Sequence, residues 1–533
     1  MVDQMQHRDF FSTGRSVAVS RNGMAATSHP LATLTAIDVL KAGGNAVDAA
    51  VSAVAVQSVV DPMMTGIGGD CFALYSPSGG TPIAINGSGY APAMANANYY
   101  SMKGFQAIPD DSPHAVTVPG AADAWCHLIS KYGSLAMDRV LLPAIAAAEQ
   151  GYVITPRVAA DWDRYKARIM AYPDAQNFFL PEGKPVETGA IFKSPALAGT
   201  LRKLANEGRK GIYEGEIASE LVGLLSSMGG LHEESDFSEF RSFETRPISA
   251  AYRDYEVVEC PPNGQGIAAL LILRILDGFD LKDPRFSEAD RIHLLSEATK
   301  TAYAMRDAII ADPKNVTVDI DEILGEKTVE KLRSSISMQK AGRSHRWDGP
   351  DHRDTVSIAV VDSYGNAISL INSIFFAFGS GIYAPRSGIL LQNRGSGFVL
   401  DRAHPNCIGP RKRPLHTIIP GMLRKAGQTV MTFGVMGGQY QAVGHAHLVS
   451  QILDRSMDPQ QASDHPRSFW FDGVLNLEPT IGEDVKQELE RRGHKVAWAE
   501  EPIGGAQAIL IDHGTGILSG GSDHRKDGIA LGY

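Results

Sequence analysis

The sequence predicts a mixed α+β fold in which helices are layered on antiparallel sheets. Three observations carry that expectation. Small apolar residues recur at helical spacing through "HPLATLTAIDVLKAGGNAVDAAVSAVAVQSVV" (29–60), and two alternating β-rich runs meet at a Gly-containing turn in "TVSIAVVDSYGNAISLINSI" (355–374). Gly-rich turns punctuate the whole chain, with no internal repeat or low-complexity block.

The elements follow in order. In the first helical block "AGGN" places a Gly stop after Lys41, so the block reads as helix, turn, helix. "GGDCFALYSPSGGTPIAING" (68–87) reads as two short strands around a Ser-Gly-Gly turn. Residues 120–340 are mostly helical by pattern, as in "EADRIHLLSEATKTAYAMRDAII" (288–310). They are interrupted at 252–266 by a strand that ends in a Pro-Pro-Asn-Gly turn. From 313 to 354 the sequence turns polar, ending in "MQKAGRSHRWDGPDHRD", which has the composition of an exposed loop. After it come the hairpin opened by Thr355, strands in "QTVMTFGVMGG" and "GGAQAILIDHGTGILSGGSD", and a helix in "GEDVKQELERRGH".

Composition narrows the function classes. The chain has 533 residues, 44% hydrophobic and 21% charged, close to the soluble globular average and long enough for one large mixed fold or several domains. A net charge of −10 argues against nucleic acid or an anionic membrane as partner and for small-molecule chemistry. Cys71, Cys126, Cys260 and Cys407 form no CxxC pair and no zinc-ligand spacing, and read as buried thiols of a reducing compartment. The first 20 residues lack a secretory h-region and no apolar run is long enough to cross a bilayer, so a cytoplasmic location is the expectation. His445 and His447 in "GHAH" have no further ligands in place; no metal site is evident and no cofactor is implied.

Thr355 follows a polar, charged segment and opens a strand. A cut between Asp354 and Thr355 would give the threonine a free α-amine whose ordinary pKa, about 7.7–8.0, leaves it partly neutral near physiological pH. One residue would then supply nucleophile and base. By local pattern alone the simpler reading of Thr355 is a β-branched residue opening a strand.

The ordered series "DPMMTGIGGDCFALY", "YAPA", "SPHAVTVPGAADAW", "PPNGQG", "DTVSIAVVDSYGNAISLINSIFFAFGSGI", "RKRPLHTIIPGML", "GVMGGQ" and "DHRKDGIALGY" resembles the γ-glutamyltranspeptidase family of N-terminal nucleophile hydrolases, from about residue 20 to the end. The resemblance implies a four-layer αββα fold and autocatalytic cleavage before Thr355. It also implies a large subunit 1–354 and a small subunit 355–533 forming one intertwined unit, with a dimer of such heterodimers as a further expectation. Carried over residue by residue, it makes Thr355 the nucleophile. Ser373 stands where a threonine usually bonds it, and Gly437 and Gly438 are the oxyanion-hole pair.

The departures bear on substrate. Where members that take γ-glutamyl groups hold an arginine for the α-carboxylate, this chain has Ser88; where they hold the α-amine, it has Phe375 and Gly397. Arg394 in "LQNRGSGF" replaces a neutral amide, and His416 and Thr417 in "RPLHT" replace a serine pair. An arginine suits a carboxylate, so Arg394 points to a small anionic acyl group, although an arginine in a chain with 60 acids can equally be an ordinary ion-pair partner. His416 has a structural reading too. "NRGSGF", "LDRAHPN" and "KRPLHTIIPGML" resemble the branch that includes oxamate-hydrolysing members. The resulting expectation is an autoprocessing amidohydrolase for a small acidic amide such as oxamate. The alternatives are a γ-glutamyl hydrolase or transferase, a glutaryl-cephalosporin-type acylase, and a non-catalytic binding module.

Overall fold

The computed structural model describes residues 14–343 and 355–533. The fourteen strands that build the two main sheets are β1 (Ala18–Ser20), β2 (Met24–Thr27), β3 (Asp70–Ser76), β4 (Ile83–Gly87), β5 (Phe243–Thr245), β6 (Ile248–Tyr252), β7 (Tyr255–Glu259), β8 (Val356–Val361), β9 (Ala367–Ser373), β10 (Pro420–Lys425), β11 (Gln428–Met436), β12 (Gly505–Asp512), β13 (Ile517–Ser522) and β14 (Ile529–Gly532). One seven-stranded sheet has the order β14-β2-β8-β9-β3-β4-β5, and the other β1-β13-β12-β11-β10-β7-β6. Each sheet draws strands from both sides of residue 354.

Period-two alternation tells which face of β8 goes where. Val356, Ile358 and Val360 pack under helices α1 (Pro30–Lys41) and α2 (Ala46–Val60), whereas Ala359 and Val361 meet Met422, Ile509 and Leu518 of the second sheet. The outer face of that sheet, with Leu423, Phe433 and Leu510, is covered by α3 (Gly266–Leu276), α4 (Glu288–Ile309) and α5 (Gln441–Arg455). The result is helix, sheet, sheet, helix.

Local chemistry sets the boundaries. Asn45 caps α2 in a capping box with Asp48, and every residue of that helix is buried, in keeping with its predominantly Ala/Val composition. Between β8 and β9, Asp362 Oδ1 accepts from the N–H groups of Tyr364 and Asn366, and Gly365 takes the positive φ (+85°) that closes the hairpin.

Short helices at Ile320–Leu324, capped by Asp319, and Glu326–Ser334, anchored by buried Val329, fall inside the stretch 120–340 expected to be mostly helical. One expectation needs correction. Cys126 is only half-buried, unlike Cys71, Cys260 and Cys407, because it stands on the outer side of its amphipathic helix. Residues 344–354, with Asp354 and the expected cut, lie outside the described residues. Among the described residues, no helix is long and apolar enough to cross a membrane.

Candidate active site

Thr355 sits at the open end of β8, buried to 1% exposure. The register Val356↔Asn372 sets it against Ser373 at the end of β9, and Ser373 in turn pairs with Asp70 at the start of β3. Thr355 Oγ1 lies 3.5 Å from Ser373 Oγ. Gln441 Nε2 donates to the same Oγ1 at 3.2 Å, while Gln441 Oε1 accepts from Ile419 N–H at 3.0 Å, which fixes the amide's orientation. Gln441 is the first residue of α5 and was not foreseen from sequence. The signal available was its place three residues after the glycine pair, where a first-turn side chain faces back over the loop.

Gly437 has φ 114°, ψ 33° and Gly438 has φ 56°, left-handed conformations that glycine adopts without strain. A Cβ on Gly437 would stand 2.9 Å from Gly504 Cα. The chain therefore turns sharply off β11 into α5 beside the threonine.

Arg394 is completely buried. Its Nη1 donates to Thr417 Oγ1 at 2.8 Å, its Nη2 lies 3.5 Å from Ser373 Oγ, and its guanidinium carbon is 3.9 Å from the Phe375 ring centre. Among the described residues no carboxylate is hydrogen-bonded to it, and Nε finds no hydrogen-bond partner. Burial lowers its pKa to about 9, against the opposing field of Asp70. The surface ion pair that its sequence equally allowed is thus excluded.

Asp70 is the hub behind Arg394. It accepts from Gly89 N–H (2.8 Å), Gln392 Nε2 (2.9 Å) and His416 Nε2 (2.9 Å). His416 Nδ1 accepts from Ile418 N–H at 3.3 Å, so the ring proton is assigned to Nε2. Burial, then the charge of Arg394, lowers the His416 pKa to about 4, so the ring is neutral near pH 7. With both nitrogens engaged, His416 braces Asp70 rather than facing the threonine.

The remaining positions are packed close by. Ser88 Oγ donates to Gly89 O at 3.2 Å and accepts from Asn263 Nδ2 at 3.0 Å, and its carbonyl takes Arg413 Nε at 2.9 Å. Phe375 holds φ +81°, unusual for a bulky residue, with its N–H on Ser373 Oγ at 3.0 Å. Gly397 is half-buried, its carbonyl accepting from Asn406 Nδ2 at 2.7 Å. On the other flank of Gly437 lies a cavity of about 330 Å³ walled by Tyr165, Tyr440, Phe469, Phe471 and Trp498.

One cluster outside the site, His293, Glu297 and His494, has metal-ligand geometry. Its groups already satisfy one another and the protein. His293 Nδ1 is 2.8 Å from His494 Nε2, and His293 Nε2 faces Ser337 O at 2.7 Å. Glu297 takes Lys300 Nζ at 2.6 Å and Gly342 N–H at 2.9 Å. The ammonium of Lys300 therefore already pairs with the carboxylate of this cluster.

A buried hydroxyl opening a central strand, a glycine pair in left-handed backbone and a buried guanidinium with no carboxylate hydrogen-bonded to it among the described residues stand together at this end of the sheets. The gamma-glutamyltranspeptidase family model matches residues 32–533. The chain is 35% identical over 521 residues to a glutathione hydrolase-like proenzyme of Bacillus subtilis, covering 96% of this chain and 98% of the relative. It is also 35% identical over 532 residues to an oxamate amidohydrolase proenzyme of Klebsiella pneumoniae, covering 97% and 99%. A cephalosporin acylase from Bacillus halodurans superposes with a TM-score of 0.93 at 36% identity, over 99% of each chain. On the whole-length match in sequence and in fold, this chain belongs to the gamma-glutamyltranspeptidase family.

Proposed function

We propose that the protein is an autoprocessed amidohydrolase that cleaves the amide of a short dicarboxylic acid, oxamate foremost, to the acid and ammonia. One observation carries this reading: Arg394 is buried without a carboxylate partner among the described residues, one serine away from the threonine. An unpaired buried charge costs several kcal/mol, and a substrate carboxylate relieves it. The steps from Thr355 Oγ1 to Ser373 Oγ and on to Arg394 Nη2 are 3.5 Å each, which suits a short acyl group. Ser88 and Phe375, in place of polar or charged holders of an amino acid head, weigh against a γ-glutamyl donor.

In this reading the Thr355 α-amine, freed by cleavage, takes the Oγ1 proton while Oγ1 attacks the amide carbonyl. The N–H groups of Gly437 and Gly438 receive the oxyanion. Collapse breaks the C–N bond, the amine passes its proton to departing ammonia, and water hydrolyses the acyl ester by the same route reversed. Gln441 Nε2, already on Oγ1, holds the oxygen in place. A second reading, an acylase releasing a bulkier amine, is favoured by the aromatic cavity beside Gly437.

Arg394→Gln tests the assignment. The expected outcome is a kcat/KM on oxamate lower by about 1.5–3 kcal/mol, the range of a charge-assisted hydrogen bond, with a neutral amide such as acetamide hardly affected. Equal loss on both would reduce Arg394 to a structural role, and efficient γ-glutamyl turnover by the wild type would overturn the substrate class.

A further inference from the structure

The turn at 261–266, "PPNGQG", lies far from Thr355 in sequence, yet its Gln265 joins the two halves of the site. The side chain is fully buried. Its Nε2 donates one hydrogen to Thr417 O at 2.7 Å and the other to Gly438 O at 3.1 Å, and its backbone N–H donates to His416 O at 3.0 Å. Thr417 is the residue whose hydroxyl holds Arg394, and Gly438 belongs to the oxyanion loop. One amide therefore spans the acid-binding side and the oxyanion side.

A primary amide has two ends, and only one orientation works here. Flipped, it would set its oxygen against two carbonyl oxygens. Arg306 decides the matter: its Nη1 donates to Gln265 Oε1 at 2.7 Å, and since a guanidinium only donates, Nε2 must face the carbonyls. The same Nη1 donates to Gln439 Oε1, also at 2.7 Å, so the arginine grips the residue after Gly438 as well. Arg306 is buried on α4, its guanidinium 4.0 Å from the Tyr303 ring centre and its Nε on Asp307 Oδ1 at 2.7 Å.

We propose that Gln265, oriented by Arg306, is a positioning pair that fixes the spacing between the oxyanion glycines and the Arg394–Thr417 anchor, and thereby sets the acyl length the enzyme accepts. The length-selecting part rests on the functional reading above; the positioning of the glycine loop does not. Neither residue touches the reacting atoms. Their effect runs through Gly438 and Thr417.

The test uses the full, self-cleaved protein and a ladder of amides: oxamate, malonamate, succinamate and glutaramate, with acetamide as the neutral member. Gln265→Met keeps the shape and removes the polar ends. The expected outcome is a kcat lower by about 10–100-fold on every amide the wild type turns over, the scale of an ångström-level misplacement. The kcat/KM preference among acid lengths should narrow at least about tenfold over the same range, measured well below the variant's thermal midpoint. Arg306→Lys, which keeps the charge but loses the fork, should give the same pattern more weakly. Gln265→Glu adds a readout that a packing role would not move. Ionised, the introduced carboxylate repels both carbonyls; protonated, it donates to one, so turnover of this variant should recover as pH falls when the wild type's does not. Loss that tracks a lowered thermal midpoint, length preference unchanged in all three variants, or a wild-type pH profile in Gln265→Glu would overturn the proposal. A wild type that prefers acetamide would overturn the functional reading instead, and kcat on acetamide would then decide whether the pair positions the loop.

Discussion

Burial turns ordinary side chains into specific chemistry at the residue scale. Arg394 and His416 are both driven toward neutrality by desolvation, and they divide the work through Asp70. The carboxylate takes the histidine's proton side by a hydrogen bond and meets the arginine only through its field. His416, lowered to about 4, stays neutral across the useful pH range, whereas Arg394, lowered to about 9, stays charged at pH 7 and loses its proton within reach of experiment. In the proposed function the protonated arginine is the acid-binding form, so the sign is set. The ratio of kcat/KM for oxamate to that for acetamide should be flat from about pH 7 to 8 and fall as pH rises through about 9. Taking the ratio removes the titration of the α-amine common to both substrates, and a ratio that stays flat to about pH 10.5 would mean that no titrating cation binds the acid. Arg394 itself was legible in the sequence as a candidate. Its lack of a carboxylate partner was not, because with 60 acidic residues in the chain nothing local says which arginine goes unpaired.

At the scale of elements, two devices build the site. The hairpin β8–β9 opposes Thr355 and Ser373 by register, a consequence of the turn at Asp362–Asn366 that the sequence shows openly. The second device is the β11-loop-α5 unit, where two consecutive glycines with positive φ turn the strand toward a helix whose first residue reaches the Thr355 hydroxyl. Gly438→Ala should cost about 1–2 kcal/mol of stability for its left-handed φ of 56°, and the turnover of the cleaved variant should fall roughly 10²–10³-fold if the loop supplies the oxyanion donors. Steady-state kinetics alongside a denaturant titration separates the two effects, and unchanged turnover would reassign the loop to a structural turn. The hairpin and the glycine pair could be read from the sequence because their determinants are adjacent in it. Asp70, Gln265 and Gln441 could not, since their partners stand 346, 173 and 86 residues away.

On the scale of the whole molecule, the boundary at 354/355 cuts no domain. Strands from either side alternate in both sheets, with β8 and β9 flanked by β2 and β3, and β10 to β13 flanked by β1 and β7. Scission before Thr355 should therefore leave the two parts locked together. Wild-type protein should migrate as fragments 1–354 and 355–533 in denaturing gels yet elute as one particle under native conditions, and Thr355→Ala should remain a single chain in both. A fully active wild type that is never cleaved would rule out the N-terminal amine as base.

The elements and their order are written in the chain itself. Apolar period marks β8, β9, α1 and α2, Asp and Gly at fixed offsets close the hairpin, and the succession of motifs identifies the family. These depend on interactions between neighbours in the chain, so a linear reading recovers them. It took the packed molecule to bury Arg394 beside Ser373, to hold His416 neutral on Asp70, and to bind Gln265 to both walls of the site. Protonation and partnership follow from how much water the surrounding layers exclude and which distant groups they bring within hydrogen-bonding reach, and both are properties of the four packed layers together rather than of any one segment.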